Sequence, residues 1–292
     1  MVNITADGLS VHIQCGDVHY NIQGIDPEEF PELPTVEPQN ALILTQATLG
    51  DMINRTLFAV SNNDGRPILT GSLFEVVGNV LTVVSVDGQR LALRREKLEE
   101  APGKDFSFVV PGAALSEVRG ICSDSEETVT VTTGSRHILF QVGSTLMVTR
   151  RLEGEFLNYR QSISWKSNIS FTAAVRSVIT SINRVALILQ ENTKNPLRCI
   201  VGENILYLSS VTPTGDASDQ CPITGKGEDL HIGFNHRFML DALKAVPTET
   251  ARFLMGTPST PCIIVPEDQA EGEEDYLFMV LPVRMSASWD KR

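Results

Sequence analysis

Apolar residues recur along this chain with two different periods. Alternating apolar/polar strand patterns, the mark of half-buried strands, appear in 2–30 (VNITADGLSVHIQCGDVHYNIQGIDPEEF) and return in 129–156 (VTVTTGSRHILFQVGSTLMVTRRLEGEF). Gly16 and Gly143, 127 positions apart, break the two stretches at the same point, and Phe30 and Phe156 close them 126 apart. Val77-Gly78-Asn79 and Val201-Gly202-Glu203 split strand-like runs 124 apart. Glycine between alternating apolar runs predicts a hairpin turn at each site, because it accepts positive φ without steric cost.

Within that period lies a half-period. Four short strands run straight into a 3.6-residue pattern at 44–49, 110–115, 170–175 and 234–239, with last positions 66, 60 and 64 apart. Thr, Pro or Asn stands near each junction, as suits a helix start. Leu49, Ile53 and Leu57 form one apolar stripe, Val175, Val178, Ile179, Ile182 and Ala186 a second, and Met239, Leu243 and Val246 a third. The predicted unit is a helix followed by several antiparallel strands, and two units make a domain, so the fold class is α+β. The repeat rule predicts complete domains at 38–165 and 166–285 and a tail at 286–292. Residues 1–33 match only the closing strands of such a domain, equivalent to 128–159, and are expected to be the remnant of a first domain.

Composition narrows the function. With 42% hydrophobic and 21% charged residues in 292, the chain is globular rather than disordered. No apolar run approaches the ~18 residues of a membrane span, and the first residues show no signal-peptide pattern. Five scattered cysteines without CxxC or Cys/His spacing predict reduced thiols in a cytosol and no metal site. A net charge of −12 argues against a nucleic-acid surface. The four helical spans 44–60, 111–122, 171–189 and 236–246 nevertheless hold Arg55, Arg119, Arg176, Arg184, Arg237 and Lys244 against Asp51, Glu117 and Asp241, a net +3 that leaves −15 elsewhere. Taken locally, these cations are ordinary solvated helix faces.

Catalytic chemistry is absent from the pattern. Five histidines spread from His12 to His236 form no nucleophile motif. The stretch 224–229 (TGKGED) lacks the upstream Gly and the hydroxyl after Lys of a phosphate loop. The acidic run 271–275 reads as a solvated loop, and the enzyme class has no specific support.

The tandem repeat resembles the bacterial DNA sliding clamp, the beta subunit of DNA polymerase III. The likeness is carried by Phe30-Pro31-Glu32-Leu33, by Asp64 through Gly71 (DGRPILTG), and by Val86 through Ala92 (VDGQRLA). Glu155 through Arg160 (EFLNYR), Ile232-Gly233-Phe234-Asn235 and the closing Leu281-Pro282-Val283-Arg284-Met285 complete it. The resemblance implies a DNA clamp fold, with six domains from two subunits encircling double-stranded DNA without sequence preference, helices inside and sheets outside. It implies a non-catalytic processivity factor, with no cofactor and no membrane contact. The partners it implies are the DNA polymerase III catalytic subunit, the clamp loader, other DNA polymerases and mismatch-repair proteins. Arg55, Arg119, Arg176, Arg184, Arg237 and Lys244 would then face DNA. Enclosure needs only a weakly attractive lining, which removes the objection from net charge.

Partners of this family dock a short peptide between the second and third domains, in an apolar pocket with a polar rim. Matching positions are Arg66, Leu69, Gly88, Gln89, Arg90, Leu91, Met279, Val280, Leu281, Pro282, Val283, Arg284 and Met285. Outside that context Leu91 and Val280 read as plain core. Leu157 stands where proline is common, Ser162 where an apolar residue lines the pocket, and Gln161 where a basic residue is frequent. The pocket's far side is therefore expected to be shallower or more polar, and the tail with Trp289 is expected to be solvated. Leu187 and Ile188 match an apolar cluster at the family's subunit interface, where a homodimer closes head to tail. With 1–33 supplying only about three strands, the reading predicts that this chain alone does not close the ring. A peptide-binding scaffold without DNA encirclement is the alternative function.

Overall fold

The computed structural model describes residues 1–32, 34–63, 65–164, 167–189, 195–269 and 275–285. Leu33, Asp64, most of the acidic run (271–274) and the tail with Trp289 lie outside the described residues. Contacts divide the chain into two compact units, Met1–Thr35 and Val36–Arg292.

The first unit is an antiparallel meander of β1 (Asn3–Asp7), β2 (Ser10–Cys15) and β3 (Val18–Gln23), in sheet order β1-β2-β3. Nearly every side chain on it is exposed, including Ile4, Val18, Tyr20 and Ile22. Gly16 takes φ +60° in the turn between the paired Cys15 and Val18.

The second unit opens with β4 (Asn40–Thr45), α1 (Gln46–Thr56), β5 (Gly71–Val77), β6 (Val80–Val86), β7 (Arg90–Lys97) and β8 (Phe106–Pro111). It continues with α2 (Gly112–Ile121), β9 (Thr128–Thr133), β10 (His137–Val142), β11 (Thr145–Arg150) and the short α3 (Tyr159–Ile163). Then come β12 (Ile169–Ala174), α4 (Val175–Ala186), β13 (Leu197–Thr212), β14 (Gly215–Phe234), α5 (His236–Ala245), β15 (Thr250–Met255), β16 (Cys262–Pro266) and β17 (Tyr276–Val280). The four strand-to-helix junctions stand where the periodicity places them. Thr45 caps α1 by accepting from the Thr48 amide at 3.1 Å, and Asn235 caps α5 by accepting from the Arg237 amide at 3.0 Å. Gly143 has φ +56° in the turn between Val142 and Thr145, the counterpart of Gly16.

One expected turn is different. Val201-Gly202-Glu203 is not a hairpin loop: it lies within β13, which pairs with β14 along its length, with register shifts on either side of Glu203. The left-handed residue there is Asn204, at φ +54°. A bulge bends a strand without ending it, and asparagine tolerates that conformation better than most residues.

Strands β11-β10-β9-β4 form a four-stranded sheet, and β13-β14-β12-β15-β16-β17-β7-β6-β5-β8 a ten-stranded one. The long sheet is continuous because β17 pairs with β7, so elements on both sides of position 165 share one compact body. The helices cover one face. Leu49, Met52 and Ile53 of α1 join Phe74, Val83 and Phe108 in one core, and Val178, Ile182, Val185 and Leu243 join Phe171, Phe234 and Phe278 in another. No described helix is long and apolar enough to cross a membrane.

Candidate functional site

Strand register decides what lies on the face away from the helices. Leu73, Val84, Leu93 and Leu277 pair in a row across β5, β6, β7 and β17, and Val86, Leu91, Met279 and Ile263 form the next row. These eight side chains are buried in a single third cluster with Val109, Tyr159 and Val265. Ile68, Leu152, Phe156 and Ile163 pack on it while staying partly exposed. An apolar layer covered, among the described residues, by loops and short helical turns is the kind of surface on which an apolar ligand side chain can replace a protein one.

The matched residues gather along the β7–β17 seam. Met279 pairs with Leu91 and Val280 with Arg90, after which the Leu281 amide donates to the Gln89 carbonyl at 2.8 Å. The chain then crosses to α5's approach, where the Val283 amide donates to the Gly233 carbonyl at 2.9 Å. A Cβ on Gly233 would stand 2.9 Å from the Met285 side chain, so a larger residue there would displace Met285. Gly88 and Gln89 are exposed in the β6–β7 turn, whose amides at Gln89 and Arg90 are held by the Asp87 carboxylate. Leu281, Pro282, Val283 and Met285 are half-buried, and Arg284, Arg66 and Leu157 are exposed. Leu69 is buried and Ser162 half-buried.

Leu91, Met279 and Val280 are 1%, 6% and 0% exposed; Leu91 and Met279 belong to the outer apolar layer and Val280 to the core under the helices. Arg90 is not an open rim group. Its guanidinium donates to Asp87 at 2.8 Å and to Asp241 of α5 at 2.6 Å, and lies over the rings of Phe58 and Phe238. Beside it, Arg94 pairs with Asp51 of α1 and with Glu96, stacks on Tyr276, and shares Asp51 with the Tyr276 hydroxyl. Alternation on β7 places Arg90 and Arg94 on the helix face and Leu91 and Leu93 on the other.

A second polar cluster secures the far side. The Tyr159 hydroxyl donates to Glu75 Oε2 at 2.6 Å, and Arg160 reaches both Glu75 oxygens at 3.0 and 2.5 Å. Burial works to raise the Glu75 carboxyl, but hydrogen bonds from Arg160 and Tyr159 outweigh it and hold the group below its ordinary value. Burial and the Glu75 bond push the Tyr159 hydroxyl up. Tyr159 and Arg160 are visible in the sequence as part of a motif. Nothing there pairs them with Glu75, some 85 residues away.

The six helix cations differ in freedom. Arg55 pairs with Asp51 and donates to the Ala245 carbonyl at the end of α5, and Arg119 donates to the Cys122 carbonyl and pairs with Asp124. Both are half-buried and tied into the body. Arg184 is exposed yet paired with Asp219, and Arg237 is exposed. Arg176 and Lys244 are exposed and carry no ion pair among the described residues. On α4, Arg176, Thr180, Asn183 and Arg184 are all exposed, opposite buried Val178, Ile182 and Val185. Leu187, just past that helix, is 85% exposed, and Ile188 is half-buried. Stretch 224–229 lies in β14, where Thr224 and Gly225 pair with β12 and Lys226 pairs with Glu203 of β13.

Comparison with known proteins accounts for this arrangement. Residues 43–158 match the DNA polymerase III beta subunit central domain, and 163–281 match its C-terminal domain. The beta sliding clamp of Halalkalibacterium halodurans is 31% identical over 284 residues, covering 95% of this chain and 73% of that protein. That of Staphylococcus aureus is 30% identical over 282, covering 96% and 74%. The Bacillus subtilis clamp structure superposes with a TM-score of 0.90 at 28% identity, over 98% of this chain and 75% of that one. A Thermotoga maritima beta subunit gives 0.87 at 26%, over 98% and 76%. With both domain models matched in order and a clamp relative above 30% identity, the chain belongs to the beta sliding clamp family, the non-catalytic processivity subunit of DNA polymerase III.

Proposed function

We propose that this chain works within a ring around duplex DNA, its helix face toward the duplex, and tethers polymerases, the clamp loader and repair proteins through the outer cleft at the β7–β17 seam. In this reading 38–165 and 166–285 are the second and third clamp domains, as the two matched spans support. The observation that carries it is the division of one sheet. Helices with the exposed cations Arg176, Arg184, Arg237 and Lys244 cover one face, and a thinly covered apolar layer lies on the other. Exposed cations suit a sequence-blind lining that slides, because phosphate contacts position without specifying. The cleft's ligand is a short peptide with apolar anchors, seated between Arg66, Leu69 and the Leu157–Ser162 side on one hand and Leu281 to Met285 on the other. Met279 and Met285 adapt to varied anchors at little cost.

A plasmid-retention assay tests the DNA half of the reading. Retention on nicked circular DNA, lost once the plasmid is linearised, would support encirclement and overturn the expectation that this chain alone does not close the ring. Equal association with both forms would refute encirclement. Calorimetry with a peptide from the end of a polymerase subunit tests the other half, and an Arg66→Ala, Leu157→Ser variant should bind more weakly while melting as the parent does.

A further inference from the structure

The α3 segment has no means of holding itself in place. Five residues are far below the length at which a helix is stable alone, so its position must come from anchors to the sheet. Two are apolar, Phe156 and Ile163 on the outer layer. The third is polar and directional: Glu75, on β5, accepts from the buried Tyr159 hydroxyl and from two nitrogens of Arg160, whose guanidinium also lies 4.8 Å from the Tyr159 ring centroid. Glu75 shares a cross-strand row with Thr82 and Arg95, one step beyond the apolar row of Leu73, Val84 and Leu93. It therefore fixes where along the sheet the segment comes down. Leu157 and Ser162, the two cleft positions on this side, stand two residues before α3 and within it.

We propose that Glu75 is a positioning residue of the peptide cleft: through Tyr159 and Arg160 it holds the 156–163 segment so that Leu157 and Ser162 are presented to the ligand before it arrives. The inference rests on the cleft reading above. Glu75 need not touch the peptide, and its contribution is preorganisation. A wall already in its bound position spares the ligand the cost of ordering it.

The test uses the full chain, with Glu75→Gln, Tyr159→Phe and, should either fold poorly, Arg160→Gln, whose side chain is 55% exposed. Peptide affinity and dissociation rate are measured by calorimetry and stopped-flow fluorescence, and amide exchange of 156–163 by mass spectrometry. The expected result is faster exchange confined to that segment and about five- to tenfold weaker binding, seen mainly as faster dissociation. The Glu75→Gln, Tyr159→Phe double variant should be no weaker than the worse single one, since the two changes remove one linkage. A purely structural role would loosen the segment without changing affinity. Parental affinity in folded variants that exchange faster would thus overturn the inference alone. No peptide binding by the parent protein would overturn the cleft reading and this inference together.

Discussion

The two faces of the β7–β17 seam are built from alternate residues of the same two strands, and they differ in that the helix face adds ion pairs to its apolar core. On the helix side, Arg90 and Arg94 of β7 and Tyr276 of β17 meet Asp51 of α1 and Asp241 of α5 in ion pairs and ring contacts with fixed directions. On the other side, Leu91, Leu93, Leu277 and Met279 meet one another and a few loop residues through contacts without direction. Directional bonds fix how the elements before and after position 165 are joined. Apolar contacts leave a surface that can exchange partners. A rigid joint under an adaptable layer suits the tethering cleft proposed above.

The largest expected effect comes from crossing the two chemistries. Leu91→Lys puts a charge where 1% of the residue is exposed, and its cost should reach about 4–5 kcal/mol or more, seen as a collapse of the urea midpoint. It is a folding lesion, so it cannot serve as a clean test of peptide binding. Removing a cation from the polar face should cost less. Arg90→Ala strands Asp87 and Asp241, and because Asp241 is 38% exposed the loss should be about 2–3 kcal/mol, with faster amide exchange on both β7 and β17.

A smaller effect concerns Glu75. Its carboxyl is held below the ordinary value of 4.5 in the fold, so the stability it contributes is complete above the unfolded value and is lost as pH falls through the folded one. The stability gap between the parent and Glu75→Gln should accordingly be complete above the ordinary carboxyl value of 4.5 and close as pH falls below it. A gap that stayed constant through that window would show that the carboxylate's charge is not what holds α3. Smallest of all in stability are Arg176→Gln and Lys244→Gln, expected within ~0.5 kcal/mol. Their effect should appear in DNA affinity, with a shallower dependence on salt by about one ion per removed contact. Arg119→Gln, already paired within the body, should change that slope less.

The helices were legible because their signal is local. The stripe Val178, Ile182, Val185 lies within eight positions and is buried as the spacing requires. The seam was not legible from the residues themselves, since the pairing of Met279 with Leu91 joins positions far apart in sequence. Only the likeness to the clamp family placed those two together. Arg90 shows the same limit from another side: a rim role suits its chemistry, but Asp241 and Phe238, remote in sequence, claim it first. Gly202 misled for a different reason. Glycine marks a turn when the strand ends there, and the β13 bulge takes its left-handed residue from Asn204 instead.

The central claim, that the outer face of the seam is a peptide cleft, is tested most directly by amide exchange with and without a bound polymerase-derived peptide. Slower exchange on adding peptide should be confined to 65–69, 88–91, 156–163 and 279–285, with α4 and α5 unchanged. Protection on α4 or α5, with none along 279–285, would contradict it.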